Sequence, residues 1–504
     1  MPNQFNYVKN LSPGRSVFDL SYDKKFNCDM AQLIPILCDE MVPGDSWQIG
    51  NEIVCRFQPL IAPILHEINI YTHYFFVPYR LLWDDWEMFM TGGKDGDFTA
   101  TLPTWTTPDT SEFSLWDYMG LPTKVDPVGA YPLDFPRSAY NFIYNEYYRD
   151  ETLQNEIALD NDQILNRAWE KDYWTSSLIF QQRGTAPGFV AGAGSANWDT
   201  TTVADTVGGT PIGISETVSN DTLFANTSIG RGNYLDHLNS NTVDLSAFGF
   251  DISDLRLAFQ TQKFLERNAR SGYRYTEWLQ SHFSVSPTDD RLDRPEFCGG
   301  SKSPVIISEV LQTTQTLSDG TPQGNLAGHG LSADRTRAAS YKCKEYGLMM
   351  GIMSVMPRSA YQQGINRQWL KETRYDFFLP EFVNLSEQAI EQAEIYATDV
   401  EVDNRALFGY QGRFDEMRVK NSMVCGSMRS NATISFDYWH LGRDFDSAPE
   451  TNPPLLNEEF ITCIPSKRIF AVQDEPGLII NCANLIKAVR PLPAYSNPGL
   501  IDHH

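Results

Sequence analysis

The chain lacks the features that would carry it across a membrane. Its longest apolar run, Tyr346 to Met356, has 11 residues interrupted by Gly347, Gly351 and Ser354, against the ~20 needed to span a bilayer. The opening MPNQFNYVKN has no basic stretch followed by an apolar one, so no secretory signal is expected. Cysteine is sparse: eight residues, at 28, 38, 55, 298, 343, 425, 463 and 482, with no C-x-x-C pair. Neither a zinc knuckle nor a disulfide frame is indicated, and free thiols in a reducing compartment are expected. Positive charge is also scarce. Forty Lys and Arg stand against 64 Asp and Glu, a formal −24, which excludes a surface that binds nucleic acid all over and leaves room for a local basic face.

Catalytic signatures are missing too. His66-Glu67 is followed by His73 rather than by a His three residues on, so H-E-x-x-H is absent. There is no G-x-S-x-G elbow and no G-x-x-x-x-G-K-[ST] loop, and Gly192-Ala193-Gly194 lies in turn-rich sequence rather than between a strand and a helix. His440, in DYWHLGR, reads as a satisfied imidazole. Asp84 and Asp85 point about 100° apart on a helix and cannot flank one bond. The acidic trio Asp289, Asp290 and Asp293 suits Ca²⁺ and solvent equally. No catalytic residue, cofactor or metal ligand is assigned.

What is present is core material. Hydrophobic residues make up 41% of the 504 and aromatics 12%, ample for a folded chain of two to four ordinary domains or one elaborated one. Gln48–Phe57 and Glu67–Val77 read as strands. In the second, Ile68, Ile70, Tyr74 and Phe76 share one face while Phe75 and Val77 lie on the other, which suits a strand covered on both sides. Helices are expected over 80–91 (closed by Gly92), 136–149, 162–174, 253–282 (broken near Gly272) and 385–397 (capped by Ser386). Short strands return at 304–311, 347–355, 419–428 and 468–472. Strands dispersed along the chain, with helices inside the connections, predict an antiparallel β-sandwich with long elaborated loops.

Two segments differ from the rest. Of the 67 residues from 184 to 250, 32 are Gly, Ser, Thr or Asn and one, Arg231, is basic. This composition predicts an exposed insertion of short strands and loops, with Trp198, Phe224 and Tyr234 as its ring anchors. Residues 335–374 carry eight Lys or Arg and only Glu345 and Glu372, with Tyr341, Tyr346, Tyr361 and Trp369 interleaved. Cations alternating with rings suit single-stranded nucleic acid; salt bridges to the acidic remainder are the alternative.

Several long stretches then stand out: RSVFDLSYDKKFNCDMAQLIPILCDEMVPGD (15–45), HYFFVPYRLLWDDWEMFMTGG (73–93), YNFIYNEYYRDETLQ (140–154), ARSGYRYTEWLQSHFSV (269–285), DDRLDRPEFCGG (289–300), PQGNLAGHG (322–330), YGLMMGIMSVMP (346–357) and WHLGRDF (439–445). Carrying these in order, the chain resembles the major capsid proteins of the Microviridae, single-stranded DNA phages, most closely the gokushovirus branch. The resemblance implies a mainly β fold, an eight-stranded antiparallel viral jelly roll with long helix-containing insertions. Residues 1–183 and 251–504 would form one interleaved domain and 184–250 a surface protrusion at the threefold axes. It implies a structural protein, not an enzyme, with sixty copies closing a T=1 shell around circular single-stranded DNA.

The partners implied are a small basic DNA-binding protein, an internal scaffolding protein, a minor pilot protein and a host-cell surface receptor. The location implied is the virion, with assembly in the host cytoplasm. A subunit near −24 would repel the genome unless its inner face is locally basic, and Lys24, Lys25, Arg335 and Arg337 are the expected nucleic-acid-facing residues. The protrusion, through Trp198, Phe224 and Tyr234, is the expected host-attachment surface. The competing reading is a carbohydrate-binding or carbohydrate-cleaving β-sandwich, which needs two carboxylates about 5–10 Å apart in a ring-lined cleft; Asp199 beside Trp198 is its only suggestion.

Overall fold

The computed structural model describes residues 14–94, 97–186, 214–216, 223–225, 252–271, 274–284, 286, 288–311, 326–446 and 453–495. The strands, in chain order, are β1 (Ser16–Asp19), β2 (Tyr22–Cys28), β3 (Ile34–Met41), β4 (Ser46–Phe57), β5 (Ile68–Pro78), β6 (Ile214–Glu216), β7 (Leu223–Ala225), β8 (Glu296–Pro304), β9 (Ile306–Leu311), β10 (Leu326–Lys342), β11 (Gly347–Pro357), β12 (Ala360–Tyr361), β13 (Gln388–Glu391), β14 (Leu407–Gln411), β15 (Ser422–Met423) and β16 (Leu478–Arg490).

Period-two alternation decides how these pack. In β4, Trp47, Ile49, Ile53, Cys55 and Phe57 are buried while Gln48, Glu52 and Arg56 are exposed. In β16, Leu478, Ile480, Cys482, Ile486 and Ala488 are buried in the same way. Such half-apolar strands bury their inner faces against a second layer.

One layer runs β2–β16–β4–β10 and the other β3–β11–β5–β8, and every pairing is antiparallel. The layers join where β10 meets β8 at Ala339 and Gly299. This connection order is that of an eight-stranded jelly roll; β1 pairs with the end of β16, and β9 flanks the start of β10. The seam requires a glycine. Gly299 sits at φ +140°, and a Cβ there would lie 2.4 Å from the carbonyl oxygen of Ala338.

Between the layers lies a core that includes Trp47, Phe57, Tyr74, Phe76, Met353 and Ile486. It contains a polar stitch: the Asn51 amide donates to Thr72 Oγ1 at 3.0 Å, and Thr72 Oγ1 lies 2.6 Å from Ser301 Oγ. A second core covers the outer side of β3, β11 and β5. Phe75, Val77, Met350 and Ile352 pack there with Trp105, with Trp116 from helix α2 (Leu115–Tyr118), and with Tyr140 and Ile143 from helix α3 (Phe135–Ile143). β5 is thus covered on both faces, as its side-chain pattern predicts, and so is β11. A third core, around Tyr361, Ile390, Phe445 and Phe460, organises the long connection from β11 to β16.

Several helices differ from expectation. The segment from Arg80 begins as a 3₁₀ turn (Tyr79–Leu81), and the helix proper, α1, runs only over Trp86–Thr91; Gly92 caps it at φ +76°, as expected. After α3 the chain continues as a π-helix over Tyr144–Tyr148. Residues 162–174 form no helix: their backbone bridges Asn166 to Gln32 and Ala168 to Thr462, and those pairings outweigh helical spacing. Ser386 caps nothing. β13 intervenes, and a single helical turn, Gln392–Ile395, starts from a Glu391/Glu394 capping box. Helices Ile252–Ser271 and Tyr275–Phe283 bracket Gly272, which lies outside the described residues. In the last third, 419–428 contains only the short β15, and Lys467–Ile469 is a 3₁₀ turn.

By internal contacts the chain divides into residues 1–181 with 269–504, and residues 182–268. In the smaller unit, β6 and β7 form an antiparallel hairpin.

Candidate nucleic-acid interface

The outward face of the β2–β16–β4–β10 layer collects cations from distant parts of the chain. Alternation along β10 sends Arg335 and Arg337 out and Ser332 in. Register then places Arg335 opposite Glu52 and Arg337 opposite Gly50 on β4. The third outward position, Arg56, is opposite Ile479 of β16 and Leu331 of β10. On β2, Lys25 lies opposite Asn481, and on β16, Lys487 lies opposite Asp19 of β1. Beyond a bulge in β10, Lys342 is exposed opposite Ser46.

Six cations on this face therefore meet three carboxylates, Glu52, Asp23 and Asp19. Lys25 pairs loosely with Asp23 at 3.6 Å, an exposed contact of little energetic weight. Arg56, Arg335, Arg337 and Lys342 have no hydrogen bond or ion pair among the described residues. Gly50 lets β10 lie close beside it: a Cβ at this position would lie 2.9 Å from the Thr336 carbonyl oxygen.

Lys24 is placed differently from Lys25. One residue along a strand reverses the side chain, so Lys24 turns inward, where its ammonium donates to the carbonyl oxygens of Pro35 and Tyr118. Burial lowers its pKa. Lys24 supports the sandwich and takes no part in the exposed row.

Other cations of the 335–374 cluster form ion pairs. Lys344 pairs with Asp290, Arg358 with Glu67 and Arg367 with Glu394. Of the interleaved rings, Tyr341 stacks on Phe76 at 4.7 Å and Tyr361 is buried, so neither is a platform for bases; Trp369 is exposed. The Asp289–Asp293 trio is likewise paired, with Arg294, Lys344 and Arg80.

The histidines are held by local contacts. His66 Nε2 lies 2.6 Å from the Arg358 carbonyl oxygen, and burial lowers its pKa to about 4. His73 Nδ1 lies 2.7 Å from the Tyr148 hydroxyl, and burial lowers its pKa to about 4 also. His440 accepts from the Gly442 N–H through Nδ1, and desolvation lowers its pKa. An open cleft of about 410 Å³ lies beside His73, lined by Phe75, Tyr147, Tyr148, Phe297, Arg167 and Glu170 among others. Its one carboxylate, Glu170, accepts a hydrogen bond from Tyr71. Trp198, Asp199 and Tyr234 lie outside the described residues, and Phe224 is the middle residue of β7. No helix among the described residues is long and apolar enough to cross a membrane.

Comparison with known proteins matches this architecture to one group. The profile of the family described as "Capsid protein (F protein)" matches residues 7–500. Capsid protein VP1 of Chlamydia phage 1 is 35% identical over 99% of this chain and 98% of its own length. Capsid protein VP1 of Bdellovibrio phage phiMH2K is 34% identical over 99% and 97%, and that of Spiroplasma virus 4 is 30% identical over 94% and 93%. A jelly roll with long insertions, matched end to end by phage capsid proteins, identifies a structural subunit of a virion: the chain belongs to the F-protein family of Microviridae capsid proteins, on its gokushovirus side.

Proposed function

We propose that sixty copies of this chain close a T=1 icosahedral shell around a circular single-stranded DNA genome, with the outward face of the β2–β16–β4–β10 layer turned to the DNA. The observation that carries the reading is the row Lys25, Arg56, Arg335 and Arg337. These cations are exposed, and the three arginines have no partner among the described residues, in a chain of net charge −24. Unpaired arginines on a rigid sheet suit phosphates without base preference, which a genome of arbitrary sequence demands. Because the row is short, a small basic DNA-binding protein shares the neutralisation, and scaffolding and pilot proteins of the phage complete assembly in the host cytoplasm. The 184–250 insertion projects from the shell surface and contacts the host receptor.

The test is the Arg335→Glu/Arg337→Glu double variant produced in the phage. Particles of normal size that hold much less nuclease-protected single-stranded DNA are expected. Normal genome content would overturn the assignment of this face.

A further inference from the structure

The helix Ile252–Ser271 runs against the acidic balance of the chain. Between Leu255 and Ser271 stand Arg256, Lys263, Arg267 and Arg270 against one carboxylate, Glu266, in a chain of net −24. Successive residues turn by about 100°, so Arg256, Lys263 and Arg267 fall within about 40° of one another on the helix surface. All three are exposed, and among the described residues none of them forms an ion pair. Glu266 accepts instead from Gln262 Nε2 at 2.8 Å, and Arg270 pairs with Glu387. From Arg256 to Arg267 the row rises about 16 Å along the axis.

Apolar groups flank this row. Leu257 is 67% exposed, Phe259 64% and Phe264 45%. Helical spacing puts Phe259 on one side of the cations and Leu257 with Phe264 on the other, an exposed arc of about 160°. The opposite arc carries Leu255, Ala258 and Leu265, all half-buried, and Ala269, which is buried. That arc is the one the helix packs with, and the exposed rings and leucine are surplus to it. The order of centre and flank selects a partner. Protein interfaces keep rings in a dry centre and charges on the rim, whereas here cations hold the centre. Nucleic acid would take the cations and stack on the phenylalanines but gives Leu257 nothing to bind. A bilayer surface accepts the whole arc: headgroup phosphates meet the cations, and leucine and phenylalanine alike enter the acyl boundary.

We propose that the helix Ile252–Ser271 lies along the surface of an anionic phospholipid bilayer, with Arg256, Lys263 and Arg267 on headgroup phosphates and Leu257, Phe259 and Phe264 at the acyl boundary. Three cations and three apolar groups give a peripheral, reversible attachment that salt weakens, without insertion across the bilayer. The contact requires neither the DNA face nor the shell proposed above, since one helix of one chain makes it.

Flotation of the full chain measures binding to vesicles of phosphatidylcholine alone and of equal parts phosphatidylcholine and phosphatidylglycerol. Wild type is compared with Arg256→Gln/Lys263→Gln and with Leu257→Ser/Phe264→Ser, and circular dichroism and thermal midpoints report folding. Wild type is expected to float with the mixed vesicles only. Binding is expected to weaken about fivefold for each cation removed, and at least about tenfold in the apolar double variant. All four replaced side chains are exposed; should Leu257→Ser/Phe264→Ser misfold, Leu257→Ser alone takes its place. Binding to mixed vesicles that the cation variant leaves unchanged overturns the proposal. A loss in the cation variant with wild-type binding in the apolar one also overturns it, and marks a site for phosphate or nucleic acid. Wild type that floats with neither vesicle overturns it as well, and variants that then sediment differently mark the arc as a contact between copies.

Discussion

The side-chain amide of Asn51 donates to the hydroxyl of Thr72 at 3.0 Å across the interior of the sandwich, joining β4 of one layer to β5 of the other. Both residues are almost fully buried. Asn51→Ala removes this bond while the Thr72 hydroxyl keeps Ser301 Oγ at 2.6 Å, and is expected to lower stability by about 0.5–1.5 kcal/mol. The midpoint of urea unfolding reads the change; an unchanged midpoint would show that the stitch contributes nothing.

Neighbouring lysines separate two roles. Lys24→Met removes an ammonium bonded to two carbonyls and is expected to destabilise the fold without altering affinity for a thymidine oligonucleotide. Lys25→Ala is expected to do the reverse. Fluorescence anisotropy together with thermal unfolding of both variants distinguishes the outcomes, and an affinity loss in Lys24→Met would contradict its inward placement.

Salt dependence gives a count of phosphate contacts. Single-strand binding weakens with salt at a log–log slope of about −0.7 per phosphate neutralised. Replacing Arg335 and Arg337 with Ala is therefore expected to make the slope shallower by about 1.4, with thermal stability unchanged. A parallel line displaced to weaker affinity would mean that neither side chain reaches a phosphate.

Acid acts through the buried imidazoles. His66 and His73 titrate near 4 in the folded chain because burial disfavours the cation, against about 6.5 unfolded. Between those values the unfolded chain binds more protons. These groups' contribution is therefore intact above pH 6.5 and lost as pH falls toward 4, at no more than about 1.4 kcal/mol per pH unit for each. His73→Phe is expected to flatten the fall in stability between pH 6.5 and 4, measured by urea unfolding at each pH. An unaltered slope would rule His73 out as a contributor.

Glycine at 50 sets how close β10 and β4 can lie. A methyl group there would sit 2.9 Å from the Thr336 carbonyl oxygen, so Gly50→Val is expected to cost about 1–3 kcal/mol by overpacking. It is also expected to weaken oligonucleotide binding by displacing Arg337. Wild-type affinity in a folded Gly50→Val chain would separate the face from its backbone spacing.

The parts of the fold legible in the sequence are those with clean alternation. β5 shows large apolar groups on both faces, and two cores meet it there. β16 is the strand the side-chain pattern fails to announce. Asn484 and Cys482 interrupt its buried face while Ile479 and Leu485 sit on the other, so no period of two stands out. Lys487 was hidden with it. Arg56 was within reach, two residues beyond Val54 on an alternating strand, but its place beside Arg335 depends on a register that no local pattern specifies. The false helix at 162–174 arose because aromatic spacing mimics a helical stripe; long-range bridges to Gln32 and Thr462 decide that backbone instead.

The position of β16 also governs when the protein can fold. This last strand is hydrogen-bonded to β4 on one side and to β2 and β1 on the other, so the first strands made share a neighbour that is made last. At ribosomal rates of 5–20 residues per second, roughly 25–90 s separate the synthesis of β2 from that of β16. Through this interval β2 and β4 present open edges, the kind of surface that pairs with other chains. Pairing strands so far apart in the sequence gives folding a high contact order and a slow rate. A cell making many copies at once therefore holds a standing pool of incomplete sheets, and the yield of shells is set by how those nascent edges are kept apart as much as by the contacts between finished subunits.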